Sequence, residues 1–155
     1  VYSFAAVCAE VEVDEVTGKV RLLRAWTVAD VGRAINRQSV EGQLEGALAQ
    51  GLGFALYEEM VFDGPRLENP TLMDYKVPTS LEVPYEVHAH IVEAPEPKGP
   101  FGAKGVGEIG INAVAAAMAN AVAAATGLRL QRLPMTPERV LRALLDREHA
   151  AQDTR

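Results

Sequence analysis

The 155-residue chain is 48% hydrophobic, so it can bury a core and fits one domain or a large piece of one. Its net charge of −6, with scattered Lys and Arg, argues against nucleic acid or an anionic membrane as a partner, because both require a basic face. The single cysteine, Cys8, excludes an internal disulfide, fits the reducing cytoplasm and is expected to be a small buried apolar residue.

No part of the sequence is predicted to enter a membrane. The most apolar run, 113–125, is too short to span a bilayer, and no charged-then-apolar leader precedes the first predicted element. The chain opens on Val1 rather than Met, which is how an excised fragment or a processed product begins.

The first two predicted elements form a β-hairpin. Residues 2–13 read as a strand whose apolar residues roughly alternate, first at Phe4, Ala6 and Cys8 and then at Val11 and Val13. Residues 14–18 form a turn with glycine near its end, and 19–31 read as the returning strand.

A long helix is predicted next, capped by Ser39 and running to about Glu59. Its apolar stripe recurs every fourth residue, at Val40, Leu44, Leu48 and Leu52. Glycines are poor helix formers that cost up to ~1 kcal/mol each. Their number here therefore indicates a close approach to the helix backbone, either by tight helix–sheet packing or by a ligand; they are Gly42, Gly46 and Gly53.

The second half of the chain is predicted to begin with a loop-rich stretch, 62–85, interrupted by glycine and proline. A strand follows at 86–93, then a helix at 108–126 that Gly127 ends, and a last helix from 136 to about 147. The fold class is therefore α+β, with helices packed on one face of a mixed sheet. We expect residues 1–149 to form this domain and 150–155 to be a polar tail.

The segment 98–110 holds five glycines just before the Ala-rich helix. Unobstructed backbone N–H groups near a helix N-terminus favour phosphate binding, and Lys104 could add a positive charge. The spacing Gly105-x-Gly107-x-x-Gly110 formally matches a dinucleotide fingerprint. That reading fails because no strand directly precedes it and no acidic residue lies between Glu108 and Glu138.

Three other groups of polar residues are site candidates. Glu108, predicted in the first residues of the helix, is either an ionised base or an ordinary N-terminal glutamate. Gln43 and Gln50 share a helix face with Ala47, which suits a flat heterocycle or simple exposure. His88 and His90 lie on one strand face, but without further ligands they predict half-exposed residues and no metal site.

Four motifs in order resemble one enzyme family over nearly all of the chain. Gly102-Ala103-Lys104-Gly105-Val106-Gly107-Glu108 resembles the segment with the catalytic glutamate in xanthine dehydrogenases, aldehyde oxidoreductases and CO dehydrogenase large subunits. Residues 30–36 with 40–53 resemble the family's cofactor-binding stretch, and 74–78 and 133–137 match further motifs. The chain thus resembles the C-terminal segment of the molybdenum-binding subunit, and its fold would be part of the molybdopterin-binding domain.

The resemblance implies a molybdenum hydroxylase that oxidises an aldehyde, an N-heterocycle or CO with oxygen from water. The implied cofactor is molybdenum–molybdopterin in its cytosine dinucleotide form, with Fe–S and FAD on partner subunits. The implied partners are those subunits, the remainder of the molybdenum subunit and a small-molecule substrate.

The resemblance also assigns roles to residues. Glu108 corresponds to the base that deprotonates the Mo–OH group, and Gln43 to a glutamine hydrogen-bonded to the pterin. Backbone around the cofactor corresponds to Lys104, Gly105, Val106 and Gly107, and the loop contacting the pterin dinucleotide to Gly32, Arg33, Ala34, Ile35 and Asn36. No residue of the chain is implied as a metal ligand.

Two departures from the family limit these implications. Arg37 stands where the family usually has proline, which puts the exact path of the 32–36 loop in question. The residues that contact the molybdenum oxo group and line the substrate cavity lie upstream in the family, so the fragment alone is expected to be inactive. A non-catalytic interaction or scaffold domain that keeps the fold is the alternative.

Overall fold

The computed structural model describes residues 2–153, with side chains up to residue 150. The elements in chain order are β1 (Phe4–Val13), β2 (Val20–Asp30), α1 (Arg37–Leu56), β3 (Phe62–Asp63), β4 (Arg66–Leu67), β5 (Glu86–Val92), a 3₁₀ turn (Pro100–Gly102), α2 (Val114–Thr126) and α3 (Pro137–Asp153). No helix in this described range is long and apolar enough to cross a membrane.

The main sheet has the order β1-β2-β5, with β1 antiparallel and β5 parallel to β2. This confirms the α+β class and the mixed sheet. The hairpin turn closes where Gly18, at φ 73°, donates to the carbonyl of Asp14 over 2.7 Å. The Asp14 side chain accepts from the N–H of Val16 at 2.9 Å, so the turn is held by its own first residue.

The core-facing residues of β1 keep a single parity, because the irregularity in the hairpin lies in β2. Glu10 pairs with Arg24 and Val11 with Leu22, so Leu23 is the extra residue of a β-bulge in β2. The side chains packed towards the core are Val7, Ala9, Val11 and Val13. The expectation that Cys8 is buried is therefore wrong, because Cys8 lies on the opposite, exposed face of the sheet.

Helix α1 begins at Arg37, and its N-cap is Asn36 rather than Ser39. The Asn36 backbone is extended (φ −131°, ψ 102°) and its Oδ1 accepts from the N–H of Ser39 at 3.0 Å. Ser39 itself therefore lies inside the first turn. The predicted stripe is confirmed, since Val40, Leu44, Leu48 and Leu52 are all buried.

The sequence predicts a close approach at three glycines of α1, but only one of the three is closely packed. Gly42 and Gly46 face open space, whereas Gly53 packs against Glu58 and Pro78. The closest approach between helices is at Gly51, where an added Cβ would overlap the side chain of Val114 in α2. Glycine therefore brings two helices together, rather than a helix and the sheet.

Helix α2 starts six residues later than predicted, at Val114, and ends as predicted at Gly127 (φ 72°). The preceding residues form successive turns, in which Ile111 N–H donates to the Glu108 carbonyl at 3.2 Å and Val114 N–H to the Ile111 carbonyl at 3.1 Å. Helix α3 runs to Asp153, beyond the predicted end near 147. Glu108 is therefore not in the first turn of a helix, and the helix-dipole argument for it is wrong.

The contact between α1 and α2 can be tested with one substitution at two positions. Gly51→Ala should lower the free energy of unfolding by roughly 1 kcal/mol or more, because overpacking against Val114 costs ~1–3 kcal/mol and exceeds the helix gain of up to ~1 kcal/mol. Gly46→Ala is the control, which meets nothing within 4 Å and should be neutral or stabilising. Urea unfolding that finds Gly51→Ala as stable as Gly46→Ala would contradict this packing.

Candidate functional site

Two loops that are distant in sequence meet at the end of the sheet. Gly32 and Ala103 form an isolated antiparallel bridge, in which Arg33 N–H donates to the Gly102 carbonyl at 2.8 Å and Lys104 N–H donates to the Val31 carbonyl at 2.9 Å. Gly32 has φ 66°, and an added Cβ would stand 2.9 Å from the Lys104 nitrogen. The contact therefore requires glycine for both conformation and space.

The two loops and the start of α1 enclose a cavity of about 190 Å³. Of the ten predicted cofactor-binding residues, six line it: Arg33, Ile35, Asn36, Gln43, Lys104 and Val106. The other four neighbour these along the same two loops: Gly32, Ala34, Gly105 and Gly107. The structure thus brings the two predicted segments together.

Lys104, which lines this cavity, forms a nearly buried ion pair with Asp30. Lys104 Nζ lies 2.5 Å from Asp30 Oδ2, and the two side chains are 9% and 14% exposed. The hydrogen bond from Lys104, followed by that from the Gly32 N–H, holds the pKa of the Asp30 carboxyl below its ordinary value. The charge of Lys104 is therefore already paired, and does not serve as a free positive charge for phosphate.

Arg33 supplies the unpaired positive charge at the cavity. Its side chain is exposed, and it forms no ion pair within residues 2–153. The helix N-terminus at the cavity also differs from the prediction, because it belongs to α1 and not to α2. Its first two turns contribute Ser39, Val40 and Gln43 to the lining. The anion-favouring end of a helix is therefore present, but on another element.

The backbone of the Gly-rich loop is open beyond Lys104. Among the described residues, no acceptor takes a hydrogen bond from the N–H groups of Gly105, Val106 or Gly107. A Cβ added at Gly105 or Gly107 would meet nothing within 4 Å, and neither glycine has a positive φ. Their common feature is thus uncovered backbone rather than a special conformation. Ser3 fixes the loop by donating to the Gly105 carbonyl at 3.0 Å.

Glu108 follows this loop and is exposed. It forms no ion pair within the described chain, and it does not line the cavity. Two residues on, Gly110 is buried against α1, where an added Cβ would stand 2.9 Å from that of Ala47. The carboxylate therefore sits between an anchor at Lys104 and another at Gly110.

The remaining polar candidates are exposed. Gln43 and Gln50 lie on the exposed side of α1, whereas Ala47 between them is buried. His88 and His90 are exposed on β5, and the His88 ring stacks on Trp26 with centroids 5.7 Å apart. Residues 2–153 contain no group of three or more His, Cys, Asp or Glu placed to hold a metal ion.

The sequence of the chain matches the family model of the molybdopterin cofactor-binding domain over residues 1–84. The chain belongs to this family. It is 43% identical over 144 residues to the 6-hydroxypseudooxynicotine dehydrogenase complex subunit gamma of Paenarthrobacter nicotinovorans, covering 90% of this chain and 18% of that protein. It is 39% identical to the xanthine dehydrogenase molybdenum-binding subunit of Escherichia coli, covering 89% and 18%.

A solved structure of similar fold is the aldehyde oxidoreductase from Desulfovibrio gigas, with a TM-score of 0.86 and 40% identity over 94% of this chain. The match covers 16% of that structure's chain. The chain therefore spans less than a fifth of the length of the relatives compared. These matches confirm the family resemblance and the prediction that the chain is only part of a molybdenum-binding subunit. These relatives are molybdopterin-dependent oxidoreductases.

Sequence reasoning missed Asp30 as a structural anchor of the two loops, although it is the first residue of a recognised motif. Its Oδ1 accepts from the N–H groups of Gly32 at 3.0 Å and Ala94 at 3.4 Å, while Oδ2 binds Lys104. The available signal was a carboxylate at the end of an apolar strand, where a partly buried charge requires a partner.

The Asp30–Lys104 pair predicts a particular loss of stability in acid. Because the pKa of Asp30 is lower in the folded protein, its contribution is present above the unfolded value of about 3.9 and is lost as the pH falls further. The free energy of unfolding of the natural protein should therefore fall more steeply as the pH is lowered from about 5 to about 2 than that of Asp30→Asn.

The control is Asp63→Asn, which removes an exposed carboxylate on β3 that has no ion-pair partner within the described chain. Denaturant titrations across this pH range should show Asp63→Asn following the natural protein. Parallel pH profiles for Asp30→Asn and the natural protein would mean that the ion pair does not stabilise the fold.

Proposed function

We propose that the chain forms one wall of the molybdopterin site of an enzyme that oxidises an aldehyde, an N-heterocycle or CO with oxygen from water. The observation that carries this proposal is the junction at Gly32 and Ala103, which joins the two family-like segments around one cavity. The family match over residues 1–84 includes the first of these segments.

The residues at the cavity fit a flat, phosphate-bearing group. Phosphate is favoured by the uncovered N–H groups of Gly105 to Gly107, by the N-terminus of α1 and by the guanidinium of Arg33. The exposed amide of Gln43 can both donate to and accept from the edge of a heterocycle. When bound, the cofactor supplies the two-electron oxidation, and we infer that it is the cytosine dinucleotide form.

Within this proposal, Glu108 is the general base. Its exposed carboxylate is unpaired in the described chain, so its oxygens are free to accept a proton from the water-derived hydroxyl that becomes the product oxygen. The open backbone of Gly105 and Gly107 leaves space in front of the loop for the reacting groups. The adjacent anchors at Lys104 and Gly110 limit how far the carboxylate can move.

The exposed apolar surface supports further partners. Nine large apolar side chains from the last turn of α1 to the residue before β5 are at least 43% exposed: Phe54, Met60, Val61, Phe62, Leu72, Met73, Val77, Leu81 and Tyr85. Such a surface is typical of an interface, and we infer that the remainder of the molybdenum subunit covers it. Fe–S and FAD subunits would accept the electrons, and the exposed thiol of Cys8 fits the reducing cytoplasm.

The size of the cavity predicts that the isolated 155-residue chain retains little molybdenum. At about 190 Å³ the cavity is smaller than the ~300–1,000 Å³ typical of small-ligand sites, so further walls are required. Elemental analysis after gel filtration should find clearly substoichiometric molybdenum in the chain and about one atom in a complete subunit. Stoichiometric molybdenum in the isolated chain would show that this wall is sufficient.

The role of Glu108 predicts a loss of rate without loss of cofactor. In the assembled enzyme, Glu108→Gln should fold normally because the side chain is exposed, but the amide cannot accept the proton. Reduction by substrate should slow by ~10²–10⁴-fold, which is the usual contribution of positioned proton transfer, at unchanged molybdenum content.

The matched control for this test is Glu45→Gln, an exposed carboxylate on α1 without an ion-pair partner in the described chain. It should leave the rate close to that of the natural enzyme. Rapid reduction of fully loaded Glu108→Gln would place the base elsewhere, and would favour a scaffold role for this loop.

A further inference from the structure

Asp30 contacts both loops of the candidate site with separate oxygens. Oδ1 accepts from the backbone of Gly32 at 3.0 Å, at the start of one loop, and from Ala94 at 3.4 Å. Oδ2 accepts from Lys104, which lies 74 residues away in the other loop, at 2.5 Å. One carboxylate therefore connects the end of β2, the exit of β5 and the Gly-rich loop.

The surroundings make this connection stronger than a surface ion pair. Both side chains are largely buried, so water screens the attraction weakly. The Lys104 ammonium also lies 6.0 Å from the centre of the Phe4 ring, a cation–π distance. By comparison, the Glu12–Arg21 pair on the same sheet has side chains that are more than half exposed, a setting in which ion pairs contribute little.

The loop beyond Lys104 has a small number of other contacts. Ser3 donates to the Gly105 carbonyl at 3.0 Å, and Val106 and Ile109 pack partly against the core, whereas Gly105 and Gly107 meet nothing within 4 Å at their Cβ positions. Lys104 is therefore one of the contacts that fix the position of Glu108, and the only one that involves a buried charge within the described loop. Since Asp30 holds Lys104, a change at Asp30 must reach Glu108 through the backbone.

We propose that Asp30 is the positioning residue of the site: one oxygen fixes the Gly32 loop, and the other, through Lys104, fixes the loop that carries Glu108. The inference rests on the proposed function for its effect on rate, but not for its effect on loop mobility. As a positioning residue, Asp30 touches neither substrate nor cofactor. It acts by holding the Gly32 loop and the Gly-rich loop in fixed positions relative to each other.

The first test is amide hydrogen exchange on Asp30→Ala, which removes both carboxylate oxygens, in the assembled enzyme. Exchange should accelerate in residues 32–36 and 103–108, and stay unchanged in β2, α1 and α2. Substrate reduction per loaded molybdenum should slow by ~10–100-fold with little change in KM, because a misplacement of ~1 Å can cost ~10²-fold. Faster exchange throughout the chain would indicate a merely structural role and would overturn the proposal.

The second variant separates the two oxygens and decides the question if Asp30→Ala fails to fold. Lys104→Met removes the bond to Oδ2 and the cation–π contact with Phe4 but leaves both bonds to Oδ1, so exchange should rise in 103–108 and remain unchanged in 32–36. Glu12→Gln, which breaks the exposed Arg21 pair, is the control and should alter neither loop. Equal loosening of both loops in Lys104→Met, or of neither, would contradict the division of roles.

The outcomes also separate this inference from the proposed function. If Glu108→Gln slows reduction and Asp30→Ala changes neither rate nor exchange, the base assignment holds and the positioning role is wrong. If Asp30→Ala loosens both loops while Glu108→Gln reacts at the natural rate, the positioning role holds and the base assignment is wrong.

Discussion

Gly32 and Ala103 bring their backbones together where β2 ends, and the candidate site exists only because this contact forms. A side chain at position 32 would collide with the Lys104 backbone, so the left-handed glycine is a requirement of the fold. The carboxylate of Asp30 stabilises this contact through its ion pair with Lys104. The packing of Gly110 against Ala47 attaches the far end of the Gly-rich loop to α1. The site is thus held by backbone proximity and one ion pair, with its exposed groups left free for a ligand.

Much of the fold follows from periodicity in the sequence. The stripe from Val40 to Leu52 determines the buried face of α1, and the buried positions of β2 change parity across the bulge at Leu23. The wrong predictions fall where local signals compete. Ser39 and Asn36 are both good caps, and only the extended backbone at Asn36 selects between them. Helix α2 begins at Val114 rather than Glu108, after a run of turns in which Gly110 packs against Ala47 of α1, a tertiary contact that helix propensity does not predict.

The candidate site is predicted by family resemblance, whereas its geometry required the structure. Composition alone does not distinguish Gln43 from an ordinary exposed residue or Lys104 from a phosphate ligand. Arg37, the one departure from the family pattern in the first loop, occupies the first position of α1, where the restricted backbone of proline is usually accommodated. It forms an ion pair with Glu41 one turn later at 3.1 Å, so the departure leaves the helix start intact. Asp30 was missed because two of its three partners, Ala94 and Lys104, come from segments that are distant in sequence.

We propose that the uncovered backbone of Gly105 to Gly107 faces the molybdopterin cofactor in the assembled enzyme. A crystal structure of the complete, cofactor-loaded enzyme containing this chain tests it most directly. We predict cofactor oxygens or nitrogens about 2.7–3.2 Å from these N–H groups, with the Glu108 carboxylate directed at the reacting centre. A structure in which other protein groups accept from these N–H donors, and the cofactor lies away from the Gly32–Ala103 junction, would contradict it.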